Sequence, residues 1–243
     1  MKKILSVLLL GFVLVFNQQC SYNIREDKKY IIDYQDKFKQ MVSSQCLMDL
    51  EFEYILKNSN STSYTKIKKS GVIFFIGNGY ALGLTHCFDR NTIMAQSPFG
   101  VFKTEIEGKN FLYTCGDSIL EYVGEKKDLS LFKVISGEDL IKPTQFSWAD
   151  LSKVKLGDEV FISGMPMLKT HILRKGIVSN IAYEEGIIYC DIQFIGGDSG
   201  SPVYIKQDGE YKIIGMAQST ISGGSIGMVL SSDYIQKFIE ESI

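Results

Sequence analysis

This chain has a net charge close to zero, only two histidines and no internal repeat. Its 26 basic and 28 acidic residues give a formal charge of −2, and so small an imbalance predicts neither nucleic-acid binding nor attachment to a membrane through a basic patch. Only two histidines occur among 243 residues, so the search for a catalytic base is short. Hydrophobic residues make up 45% and charged residues 22%, which predicts a globular protein with a sizeable core rather than a disordered one.

Residues 1–20 differ from the rest of the chain. Two lysines precede a short apolar run, residues 4–16, and the segment ends at Cys20; this is typical of an export signal and too short for a transmembrane helix. Cys20 stands where a bacterial lipoprotein signal has its lipidated cysteine, although Gln19 replaces the usual small residue before it. The segment predicts an extracytoplasmic protein, lipid-anchored to a bacterial membrane through Cys20. A secreted or periplasmic protein and an uncleaved anchor are the alternatives.

Four further cysteines are Cys46, Cys87, Cys115 and Cys190. Their number is even, and an extracytoplasmic compartment permits disulfides. The sequence alone assigns no pairing, and free buried thiols are an equal alternative.

Hydrophobic periodicity predicts strands flanked by two helices. Spacing of three and four residues predicts an amphipathic helix within residues 24–45, and strict alternation predicts a half-buried strand over 48–56. Asn78-Gly79 and Asp208-Gly209 each separate two apolar segments and predict hairpins. A helical pattern returns after Ser231. Together these patterns predict an all-β fold in two halves with a helix at each end.

Small residues within 196–202 lie on both sides of the Ser199 hydroxyl. Glycines allow the backbone to adopt positive φ and to approach other groups closely. Such a loop can direct two N–H groups at one point, as an acyl-transfer enzyme requires beside its nucleophile. Ser199 is therefore a candidate nucleophile, and an ordinary Gly/Ser turn between strands is the alternative.

A serine nucleophile needs a base and a carboxylate. His86 ends a predicted strand, a place where functional groups often lie. His171 lies within a predicted strand, and this position favours a structural role. Asp128 opens an otherwise apolar strand, so its carboxylate can be buried and orient an imidazole. A turn residue that starts the strand is the alternative for Asp128.

The segments around these three residues together resemble the trypsin/chymotrypsin-like serine proteases. In the order His, Asp, Ser they are Thr85-His86-Cys87, Asp128-Leu129-Ser130-Leu131 and Gly197-Asp198-Ser199-Gly200-Ser201-Pro202. The closer likeness is to bacterial HtrA-like and glutamyl-endopeptidase-like enzymes, because residues 156–179 are similar to the HtrA-like segment that opens the second barrel. The resemblance covers roughly residues 48–240, and no PDZ domain is expected.

The resemblance implies a polypeptide substrate and two six-stranded antiparallel β-barrels, with an N-terminal and a C-terminal helix. The site would lie in the cleft between the barrels. His86 would be the general base and then acid, Asp128 the orienting carboxylate and Ser199 the nucleophile, with the N–H groups of Gly197 and Ser199 as the oxyanion hole. Neither a metal nor an organic cofactor is implied, and the oligomeric state stays open.

The implied domain organisation divides the chain into a signal, a linker and one protease domain. The signal is 1–20, and the linker with its amphipathic helix is 21–46. The protease domain is 47–243, with barrels at about 47–140 and 155–231 and a helix at 232–242.

Asp198 departs from the HtrA-like pattern, which usually has asparagine at this position. In trypsin-like zymogens an aspartate here pairs with a new N-terminus made by cleavage, but no Ile-Val-Gly-Gly-like start is present. The partner of Asp198 is therefore open, and a buried carboxylate without one would be costly. A second departure is the long interval between His86 and Asp128, which predicts a loop over the first barrel.

By the same resemblance, the substrate pocket is lined by Gln193, Phe194, Ala217 and Thr220, with Gly223-Gly224 at its back. No acid is placed to receive a basic side chain, and no histidine to receive an acidic one. A small or medium apolar residue before the cleaved bond is expected. The hypothesis is an exported, membrane-tethered serine endopeptidase, and the alternative is a catalytically silent surface binding protein on the protease fold.

Overall fold

The computed structural model describes residues 35–58, 61–90, 92–97, 100–105, 107–137, 142–182, 185–221 and 225–243. The helices are α1, over residues 35–43, and α2 (Ser232–Ser242). The strands are β1 (Gln45–Asn58), β2 (Ser61–Gly77), β3 (Tyr80–Leu84), β4 (Thr92–Ser97), β5 (Gly100–Glu105), β6 (Glu107–Cys115), β7 (Ser118–Lys126), β8 (Leu129–Ser136), β9 (Glu159–Gly164), β10 (Ile172–Ala182), β11 (Ile187–Cys190), β12 (Pro202–Gln207), β13 (Glu210–Ile221) and β14 (Ile226–Ser231).

Two closed antiparallel barrels of six strands each confirm the predicted fold. The first follows the order β1-β2-β3-β8-β7-β6, and the second β10-β11-β14-β13-β12-β9. The separate ribbon β4-β5 occupies part of the interval between His86 and Asp128. The predicted signal, Cys20 and the early part of the predicted N-terminal helix lie outside the described residues.

Alternating side chains fill each barrel. Met48, Leu50 and Phe52, two residues apart on β1, are at most 2% exposed in the first core. Val160 and Ile162 on β9 take the equivalent inward positions in the second core. Burial of one such side chain contributes about 1.5–3 kcal/mol, so the period-two pattern sets which face of each strand points inward.

Both predicted hairpins are confirmed by positive φ angles at their turns. Asn78 (φ 52°) and Gly79 (φ 75°) connect β2 to β3, and Asp208 (φ 55°) and Gly209 (φ 84°) connect β12 to β13. The helix expected after Ser231 is α2, and the Ser231 hydroxyl accepts from the backbone N–H of Tyr234 (3.3 Å) as an N-cap.

A disulfide between Cys46 and Cys115 joins the start of β1 to the end of β6 in the first barrel. Its Cα atoms are 6.1 Å apart, within the usual range. Cys87 and Cys190 are free thiols. Burial raises the pKa of Cys190 to about 12, so this thiol is unreactive near neutral pH.

Candidate active site

His86 is carried by a short 3-10 turn, Thr85–Cys87, that follows the buried strand β3. The backbone N–H of Thr85 donates to the carbonyl of Asp128 (2.7 Å). The Thr85 hydroxyl lies 2.8 Å from that of Ser130 on β8. These contacts fasten the turn to the beginning of β8, where Asp128 is the preceding residue.

The imidazole of His86 meets the carboxylate of Asp128 at close range. Its Nδ1 lies 2.9 Å from Oδ1 and 2.8 Å from Oδ2, and the backbone N–H of His86 donates to Oδ1 (3.0 Å). The Asp128 hydrogen bond raises the pKa of His86, with a further contribution from the Cys87 thiol. Burial raises the pKa of Asp128, but the bonds from His86 outweigh it and leave that pKa below its ordinary value. The carboxylate stays charged and directs Nδ1 toward itself.

Gln218 on β13 connects the two barrels at this point. Its side-chain amide donates to Asp128 Oδ2 (3.1 Å), and its backbone carbonyl accepts from the Ser199 hydroxyl (3.2 Å). The pairing of β13 with β14 shifts register between Ala217 and Ser219, and such bulges re-aim side chains. Gln218 thus links the proposed nucleophile to the orienting carboxylate, a role that the sequence did not reveal.

The loop around Ser199 is held by its backbone. Gly197 (φ 101°) and Gly200 (φ 91°) occupy conformations that favour glycine. The Gly196 carbonyl accepts from the backbone N–H of Met167 (2.6 Å), and Gly200 N–H donates to Ala217 (2.9 Å). Within the described part of the chain, the N–H groups of Gly197 and Ser199 donate to no backbone carbonyl. The predicted oxyanion hole requires two such N–H groups without a backbone partner.

Arg174 on β10 is the partner of Asp198 that the sequence left open. Asp198 is fully buried, and its Oδ2 lies 2.5 Å from Nη2 of Arg174. The same oxygen accepts from the backbone N–H of Ile195 (2.6 Å). Sequence reasoning did not single out Arg174.

The predicted pocket residues divide between core and surface. Phe194 and Ala217 are buried in the second core, while Gln193 is exposed and Thr220 half-buried. A Cβ on Gly227 would lie 2.7 Å from the Phe194 ring, so the ring and the strand are in close contact. Gly223-Gly224 lies outside the described residues, and the pocket stays a prediction.

The second histidine, His171, has its Nδ1 3.4 Å from the Ser163 carbonyl. Burial lowers the pKa of His171. Groups of three or more metal-ligating side chains are absent from the residues that the structure describes.

The family model for the trypsin-like peptidase domain matches residues 69–216, more than half of the chain. The matched range includes His86, Asp128 and Ser199. No curated protein matches the chain by sequence.

Solved structures share the fold at low identity. A variant of the HtrA-type protease AlgW, with a decapeptide, is 16% identical to this chain at a TM-score of 0.57. The match covers 85% of this chain and 68% of the AlgW chain. The serine endoprotease from Yersinia pestis is 17% identical at a TM-score of 0.54, with 85% and 66% covered. An inactive form of Rv3671c from M. tuberculosis H37Rv is 14% identical at a TM-score of 0.53, with 84% and 88% covered. This chain thus spans about two thirds of the first two proteins.

Proposed function

Because the chain belongs to the trypsin-like peptidase family and is a serine endopeptidase, we propose that it cleaves polypeptides through an acyl-enzyme formed on Ser199. The observation that supports this most is a set of three contacts: His86 with Asp128, the Gln218 side-chain amide with Asp128, and the Ser199 hydroxyl with the Gln218 backbone carbonyl. The three proposed catalytic residues come from separate parts of the sequence, yet these contacts connect them.

In the proposed mechanism, Asp128 keeps the proton of His86 on Nδ1, which leaves Nε2 as the base. Nε2 takes the hydroxyl proton of Ser199 as its oxygen attacks the substrate carbonyl. The carbonyl oxygen becomes an oxyanion and accepts from the N–H groups of Gly197 and Ser199. His86 then returns the proton to the leaving amine, and water releases the acyl group by the reverse sequence.

A fluorophosphonate probe tests the nucleophile. Purified wild-type protein should be labelled on Ser199 and should hydrolyse unfolded casein, and Ser199→Ala should lose both. The matched control is Ser201→Ala, in the same loop, because the Ser201 hydroxyl is buried without a hydrogen-bond partner among the described residues. This control should remain labelled and active.

Labelling that survives Ser199→Ala would overturn the assignment. Wild-type protein that unfolds cooperatively, yet neither labels nor hydrolyses casein, would instead support the alternative of a silent binding protein on this fold.

The proposed substrate preference is a small or medium apolar residue before the cleaved bond. The bulk of Phe194 against Gly227 supports a shallow pocket, and no charged side chain lies among Gln193, Phe194, Ala217 and Thr220. Cleavage-site profiling on a peptide library should show enrichment of alanine and valine at this position. Enrichment of arginine, lysine or glutamate would contradict the preference.

The proposed location is the extracytoplasmic face of a bacterial membrane, with Cys20 as the lipid anchor. The Cys46–Cys115 disulfide supports an oxidising compartment, and no helix among the described residues is long and apolar enough to cross a bilayer. Cys20→Ala should move the protein from the membrane to the soluble fraction and remove an acyl mass. Unchanged fractionation without an acyl mass in the wild type would contradict the anchor.

A further inference from the structure

The fully buried Asp198 lies between the two residues whose N–H groups form the proposed oxyanion hole. One oxygen, Oδ2, contacts Arg174 and accepts from Ile195, whose carbonyl in turn accepts from the N–H of Asp198 (2.9 Å). The carboxylate therefore closes a small turn on itself. Its orientation is coupled to the backbone directions of Gly197 and Ser199 because the three residues are consecutive.

Arg174 contacts this loop at two points. Its Nη2 lies at the Asp198 carboxylate, and its Nη1 donates to the carbonyl of Gln193 (2.6 Å). The guanidinium is planar and rigid, so it fixes the distance between the beginning of the loop and Asp198. The strand β10 that carries Arg174 is paired with β9 at Ile162 and belongs to the second barrel.

Gly164, the last residue of β9, encloses the ion pair from the other side. A Cβ at this position would lie 2.1 Å from Asp198 Oδ1 and 2.6 Å from Arg174 Nη2. The pair therefore occupies a site that is closed by backbone, and residue 164 must be glycine for the pair to fit.

We propose that Arg174 is a positioning residue that keeps the oxyanion hole formed through Asp198, in place of an α-amino group released by cleavage. The inference rests on the proposed role of Ser199 and adds how its loop is held ready. In this arrangement the enzyme is active as folded, because the partner of Asp198 is part of the second barrel. Proteolytic activation is not required.

The chemistry of the two partners gives the proposal a distinct pH signature. An α-amino group loses its proton near pH 8, whereas a guanidinium stays charged across the whole range in which proteins fold. Segments 165–168 and 193–197, which pack beside the pair, contain no acidic or basic side chain. The next titratable groups along these segments are Lys169, His171 and Asp191.

Four variants and the wild type test the proposal through kcat and KM on a peptide substrate. Arg174→Met should lower kcat about a hundredfold or more, as the loss of one oxyanion donor does, and change KM less than threefold. Adding Asp198→Asn to Arg174→Met should restore kcat at least tenfold, since the buried charge is then gone. Lys175→Met is the matched control: its side chain is exposed and pairs with Glu159, and kcat should stay within twofold of wild type.

The pH profile separates positioning from a general loss of stability. Wild-type kcat should not fall between pH 8 and pH 10.5, whereas Arg174→Lys should lose activity over this range as its amine deprotonates. If Arg174→Met does not fold, the profile of Arg174→Lys decides: an alkaline fall supports the proposal and a flat profile overturns it.

Equal kcat for Arg174→Met and Lys175→Met, or no rescue by Asp198→Asn in a folded double variant, would also overturn the proposal. Failure of the proposed function itself gives a different result, because wild-type protein would then not be labelled at Ser199 at all.

Discussion

Gly200, the residue after the proposed nucleophile, is a position where one added methyl group should lower activity strongly. A Cβ built there would lie 2.1 Å from the carbonyl oxygen of Val72 on β2, whereas real Cβ contacts are longer than about 3 Å. Gly200→Ala therefore needs a displacement of about 1 Å between the loop and the first barrel. The loop cannot take this up alone, because Gly200 N–H is bonded to Ala217.

The expected cost follows from that displacement. A misplacement of about 1 Å between reacting groups lowers the rate by about a hundredfold, and the displacement would shift the loop that carries Ser199 relative to the first barrel, which carries His86. The positive φ of Gly200 (91°) adds a backbone strain of about 1 kcal/mol for alanine. In a protein of this size, 1 kcal/mol lowers Tm by about 2–4 °C.

Gly209→Ala separates the two effects. Gly209 also has a positive φ (84°), but a Cβ there meets nothing within 4 Å. Both variants should have a lower Tm than the wild type in thermal unfolding. The decrease should be larger for Gly200→Ala because only this variant adds a steric clash. In kcat/KM on a peptide substrate, Gly200→Ala should fall about a hundredfold while Gly209→Ala stays within twofold. Equal activity of the two variants would refute the steric argument.

Three further predictions concern the triad and the disulfide. Gln218→Leu should lower kcat/KM by 10- to 100-fold, because a hydrogen bond to a charged group contributes about 1.5–3 kcal/mol, and an unchanged value would contradict its orienting role. Asp128→Asn should lower the plateau of kcat by about 10⁴-fold. It should also shift the acid limb of the pH–rate profile to lower pH, because the Asp128 bond that raises the pKa of His86 is lost; a shift to higher pH would contradict this. Cys46→Ser with Cys115→Ser opens a loop of 69 residues and should lower the free energy of unfolding by about 4 kcal/mol in urea titrations.

The barrels and their hairpins could be predicted because their signals are local. Side-chain alternation on β1 shows directly in the sequence, and turns such as Asn78-Gly79 need residues that accept positive φ. The candidate base could also be predicted from the sequence, because only two histidines occur and His171 lies within a predicted strand. The need for an imidazole base therefore limited the choice to two positions, and strand periodicity favoured His86.

Arg174 and Gln218 could not be predicted because barrel closure decides their contacts. Arg174 is one of 26 basic residues, and its neighbours in sequence do not distinguish it from an exposed strand residue. The side chain of Gln218 is aimed by a register shift in the pairing of β13 with β14, which depends on two strands at once. The pairing of Cys46 with Cys115 likewise requires that β1 lies beside β6.

The two halves of the proposed chemistry depend on different parts of the fold. The triad needs both barrels, because Gln218 from the second bonds to Asp128 in the first and Gly200 lies against Val72. The ion pair proposed to hold the oxyanion hole lies within the second barrel alone, since Arg174 and its partner carboxylate both belong to it. A change in barrel docking should therefore disturb the contacts of the triad while this ion pair stays intact. The internal ion pair makes this division possible, because it fixes the loop from within one barrel.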